Sequence, residues 1–101
     1  MINWINSLQD LCNRGKSILA IRQIFEKIIS LTEQQNIATI DTIFNLLDPN
    51  TLKLEVGLAF LSISTQLQDQ LPARSLFFQK MKTYIEQTHS DEETARLLKG
   101  L

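Results

Sequence analysis

A chain of 101 residues, 44% hydrophobic and 21% charged, is the length of one domain and too apolar to remain disordered. Ten Lys and Arg against eleven Asp and Glu leave a net charge of -1, so no global field draws it to nucleic acid or to an anionic membrane. One cysteine excludes an internal disulfide, the N-terminus lacks the pattern of a secretory signal, and no apolar run approaches the roughly 20 residues that span a bilayer. A soluble, cytoplasmic protein with a single domain over 1–101 is expected.

Apolar residues recur at helical spacing along nearly the whole chain, with helix-punctuating residues between the runs. The first segment places Trp4, Ile5, Leu8, Leu11 and Cys12 on one face and ends at Gly15, where a left-handed C-terminal residue belongs. Ser17 is the expected cap of the second helix. Its apolar positions, Ile18, Ile21, Ile24, Phe25, Ile28, Ile29 and Leu31, cover more than half its circumference, which predicts a central helix. The polar TEQQN stretch stops it near Asn36.

A short third helix is predicted from about Thr39 to Leu47, with Ile40, Ile43, Phe44 and Leu47 on one side. Asp48 then caps a fourth helix that carries Pro49 in its first turn. The stretch 51–58 is ambiguous, because Leu52, Leu54, Val56 and Leu58 alternate as in a strand. The series Leu52, Val56, Ala59, Phe60, Ile63 and Leu67 fits a helix over a greater length, and no second alternating run exists to pair with a lone strand. Helix is the reading adopted, with Gly57 admitting a close neighbour. Pro72 opens a fifth helix, 72–87, whose stripe is Ala73, Leu76, Phe77, Met81, Tyr84 and Ile85, widened by Phe78. Ser90 and Glu93 form a capping box for a last helix that reaches about Lys99, with Leu97, Leu98 and Leu101 turned inward. The fold class that follows is all-α: a compact bundle of five to six short-to-medium helices arranged as orthogonal or antiparallel hairpins.

The reactive residues form no constellation. Gly15-Lys16-Ser17 ends like a phosphate-binding loop, but the position of that loop's first glycine holds Asp10, and the triplet reads as the end of one helix and the start of the next. Cys12 lies on an apolar face and His89 before a capping box, which is no basis for a catalytic pair. Glu86 and His89 have the spacing of half a two-metal site whose other half is missing. Asp91, Glu92 and Glu93 complement the dipole of the helix they open. No catalytic residue, metal ligand or cofactor site is assigned.

Binding is the function class left. The expected role is a non-catalytic, cytoplasmic helical module for protein–protein interaction: a small adaptor, assembly factor or regulator whose partner is unnamed. The second and fourth helices carry more apolar positions than a monomer of this size easily covers, so a homodimer is one outlet for them. Trp4, Phe77, Phe78 and Met81 are the candidate partner-binding residues, extended on the first helix by Ile5 and Leu8. The uncharged groups Ser62, Ser64, Thr65, Gln66, Gln68, Gln70 and Gln79 offer a second, polar face. The runner-up is a small nucleic-acid-associated regulator that uses Arg74, Lys80 and Lys82 on helix 72–87, with Gln79 near them and Arg14, Lys16 and Arg22 as a second basic cluster.

Overall fold

The computed structural model describes residues 2–88 together with Glu92, Arg96 and Lys99. It is all-α. Over residues 2–88, five α-helices, α1 (Ile2–Asn13), α2 (Ser17–Glu33), α3 (Ile37–Leu46), α4 (Pro49–Ile63) and α5 (Pro72–Thr88), are joined by short turns, with a 3-10 helix at Thr65–Gln70 between the last two. Glu92, Arg96 and Lys99 are helical and exposed. His89, Asp91, the capping pair Ser90 and Glu93, and Leu97, Leu98 and Leu101 lie outside the described residues.

The first two turns are built alike. At Gly15 the chain takes φ +73°, and the amides of Gly15 and Lys16 turn back to the carbonyls of Cys12 and Leu11 at 3.1 and 2.9 Å. This is the doubly bonded helix end that favours glycine. The α2 terminus repeats it with Gln35 at φ +57° and Asn36 bonded to Leu31 at 2.8 Å. A glutamine there bears the left-handed strain that glycine escapes. Asn36 then caps α3, accepting from the Thr39 amide at 3.4 Å, which starts that helix two residues before the position read from the sequence.

One expectation about a helix start needs correction. Ser17 does not cap its own helix. Lys16 occupies the cap position without a side-chain bond, and the Ser17 hydroxyl instead donates to Glu55 of α4 at 2.8 Å, which places a carboxylate at the positive end of α2. The start of α5 is likewise served from a distance, because the Ala73 amide donates to Asp41 of α3 at 2.8 Å. Asp48 behaves as read, accepting from the Asn50 amide at 3.0 Å ahead of Pro49.

The ambiguous stretch 51–58 is helical on both sides of a break. Lys53 has φ +67° and ψ -177°, a combination that only glycine adopts without strain. Around it Leu52 and Val56 are buried, Lys53 and Glu55 are exposed, and Leu54 is half-buried. The break is confined to Lys53, and the helical reading of 51–58 holds on either side of it. The helix also stops at Ile63, so Leu67 belongs to the 3-10 turn.

The core lies where α3, α4 and α5 meet. Phe44 and Phe60 stack with centroids 3.8 Å apart, and Phe77 stands edge-on to both at 5.4 and 5.6 Å. Gly57 faces Met81 so closely that a Cβ there would overlap its sulfur and come within 2.9 Å of Cε, which is the close approach expected of this glycine. The helix with the most neighbours is α4, which touches α1, α2, α5 and the 3-10 turn. The second helix is not central. It packs on α1, α3 and α4 through Ala20, Ile24, Ile28 and Leu31 and leaves its other side outward.

Candidate docking surface

The residues marked for partner binding do not form one surface. Phe77 and Met81 are 1% and 0% exposed and belong to the core, as do Ile5 and Leu8. Their helical spacing located a buried stripe correctly but could not say that it was the stripe facing inward. Trp4 is half-buried: Lys27 Nζ of α2 lies 5.7 Å from its ring centre, and its carbonyl accepts from Gln23. Phe78 is half-buried on α5 in a cleft of about 500 Å³ shared with Leu61, Ser62, Gln68 and Arg74. On α5 it is Leu76, a member of the apolar stripe read from the sequence, that stands out at 61% exposed.

The basic residues of α5 are also dispersed. Arg74 is half-buried and committed: its Nε donates to Ser64 Oγ at 3.0 Å, and Nη2 donates to the Leu61 carbonyl at 2.6 Å and to Thr65 Oγ1 at 3.4 Å. Burial lowers its pKa, yet a guanidinium keeps its proton at neutral pH. It closes the C-terminal end of α4, whose last carbonyls have no partner within the helix. Lys80 and Lys82 are both exposed but two residues apart, hence about 200° around the helix from each other. Of the second cluster, Arg14 pairs with Asp10 at 3.1 Å and Arg22 with Glu26 at 3.4 Å, so two of its three cations already face carboxylates.

The uncharged polar face is divided in the same way. Ser64 is fully buried and donates to the Phe60 carbonyl at 2.8 Å, whereas Ser62, Thr65, Gln66, Gln68, Gln70 and Gln79 are exposed. Cys12 is buried on α1. Burial pushes its thiol pKa up, and the charge of Lys53 pulls it part of the way back. Such a thiol stays protonated at neutral pH and is a poor nucleophile. Among the described residues no three His, Cys, Asp or Glu side chains gather as a metal site requires, and no helix is long and apolar enough to cross a membrane.

The large apolar side chains left in solvent concentrate on α2. Ile18 is 81% exposed, Phe25 49%, Leu19 47% and Ile29 40%. At 100° per residue, Ile18, Phe25 and Ile29 fall within about 40° of one another and form a stripe about 17 Å long. Beside its C-terminal half runs a groove of about 450 Å³ lined by Phe25, Ile28, Ile29, Thr32, Ile63 and Leu67, where α2 meets the end of α4 and the 3-10 turn. The charges beside the stripe are ordered along it, with Arg22 in the first half and Glu26 and Glu33 in the second. Lys27 is on the opposite side, over Trp4.

The sequence carried a signal for this surface that was read as burial. A helix at a bundle's edge buries a stripe on one side, so apolar positions around more than half the circumference of α2 exceed what its neighbours can cover. No family model, curated protein or solved structure matches this chain.

Proposed function

We propose that this protein is a non-catalytic helical module for protein–protein interaction, an adaptor, assembly factor or regulator in a reducing, cytoplasmic setting, and that it docks its partner on the outward face of α2. One observation carries the reading: Ile18, Leu19, Phe25 and Ile29 stand in solvent on a single helix next to an apolar groove. Burying a side chain of this size contributes about 1.5–3 kcal/mol, which the isolated fold forgoes at several neighbouring positions. Clustered exposure of this kind marks interaction sites, whereas apolar residues scattered singly do not.

The test is affinity capture with the immobilised chain as bait, comparing the unaltered protein with Phe25→Asp. The expected outcome is a specifically retained protein, held as well at high salt as at low, because apolar contact is not screened by ions. Its loss with Phe25→Asp, while the thermal unfolding of the variant stays within a few degrees of the parent, assigns the binding to α2. Retention unaffected by that substitution overturns the assignment.

A further inference from the structure

We propose that the occupant of the α2 face is a second copy of this chain, paired antiparallel along α2 about a two-fold axis near Phe25; this rests on the docking role given to that face above. The stripe continues into a regular seam, since Ile18, Arg22, Phe25, Ile29 and Thr32 are separated alternately by four and three residues, the spacing by which two helices interdigitate.

The two halves of the seam are complementary to each other. The first half ends in a projection, Ile18, the most exposed large apolar side chain among the described residues. The second half borders a depression, the groove beside Phe25, Ile29 and Thr32. A two-fold axis joins a surface to itself with residue i against j and j against i, so a projection at one end and a depression at the other fit twice over. With the axis near Phe25, Ile18 of each copy lies opposite Thr32 of the other, over the groove. Arg22 lies opposite Ile29, its aliphatic stem against the seam, while its guanidinium stays paired with Glu26 of its own helix. The helix dipoles run opposed in this arrangement. A parallel pairing would set projection against projection and leave both grooves open.

Two helices of 17 residues make a contact at the small end of specific interfaces, so the dimer is weak and depends on concentration. The test is light scattering on the purified full chain across a concentration series, with Ile18→Arg, Phe25→Asp and the off-seam control Leu46→Arg. Ile18, Phe25 and Leu46 are all substantially exposed, so these variants keep the fold. The expected outcome is a mass that rises to the dimer at high micromolar concentration for the unaltered chain and for Leu46→Arg, and a monomer throughout for the other two. An Ile18→Cys chain mixed with a Thr32→Cys chain should form a mixed disulfide under mild oxidation faster than either forms one with itself.

Three results overturn the proposal: an unaltered chain that stays monomeric at every concentration, a dimer indifferent to Ile18→Arg and Phe25→Asp, or Ile18→Cys cross-linking to itself in preference to Thr32→Cys. A monomer that still captures a different protein through Phe25 removes only the self-pairing. A monomer whose capture ignores Phe25 removes the docking role as well.

Discussion

Helices α2 and α5 have the same length, 17 residues, and each carries phenylalanine within a long apolar pattern, yet their phenylalanines meet opposite ends. Phe77 of α5 is buried edge-on against the stacked pair Phe44 and Phe60, while Phe25 of α2 is half in solvent. The difference lies in what each helix has around it. Helix α5 lies against both α3 and α4 and turns a narrow stripe, Ala73, Phe77, Met81 and Ile85, into the space between them. Helix α2 is wrapped on one side only, and its apolar pattern is wider than that side. The same side chain therefore stabilises the fold in one place and stays half in solvent in the other.

The largest expected effect sharpens this contrast directly. Phe77→Ala should cost about 3–5 kcal/mol in chemical denaturation, because it opens a cavity inside the aromatic cluster, whereas Phe25→Ala should stay within about 0.5 kcal/mol for the monomer. Equal losses at the two positions would break the comparison. Next in size is Arg74. Arg74→Met removes a charged donor that holds Ser64, Leu61 and Thr65 together and should cost about 1.5–3 kcal/mol. Arg74→Lys should recover only a fraction, since one ammonium cannot reproduce the planar fork. Full recovery would mean that charge alone matters there.

Gly57→Ala tests how tightly α4 and α5 are pressed together. Intrinsic helix preference favours alanine by about 1 kcal/mol, but the new methyl group would displace the buried Met81 side chain. Overpacking of this kind costs about 1–3 kcal/mol. The measured stability should fall, and the loss should shrink when Met81→Ala is present; a simple gain would show that the two helices can move apart. The smallest pair concerns the two like-built turns. Gln35→Gly should stabilise by several tenths of a kcal/mol and Gly15→Ala destabilise by about 1 kcal/mol, because both positions hold a left-handed backbone. Opposite signs in thermal unfolding are the check.

Much of the fold was legible in the residues. Gly15, Asp48 with Pro49 and the spacing of Ile40, Ile43 and Phe44 each act locally or through periodicity, and each does in the structure what its chemistry requires. Legibility failed where a residue's partner is distant in sequence. Ser17 has the chemistry of a cap, but Glu55 took its hydroxyl. Leu71, just before Pro72, offers no capping group, and Asp41 supplies one from α3. Arg74 looked like a free cation until Ser64 and Leu61 were found around it. The docking surface failed the same way: the width of the α2 pattern was visible, but which part of it would be covered was not.

The sequence by itself determined that the chain is helical, where most helices begin and end, and that it has more apolar surface than reactive chemistry to offer. These follow from backbone sterics, capping and the 3.6-residue period, which act over a few neighbouring residues. Only the tertiary structure decided that α4 takes the centre, that Phe77 and Met81 serve the core, and that Ile18, Phe25 and Ile29 are left in solvent. Burial is a property of the neighbours a side chain meets, and those neighbours are set by how the helices pack.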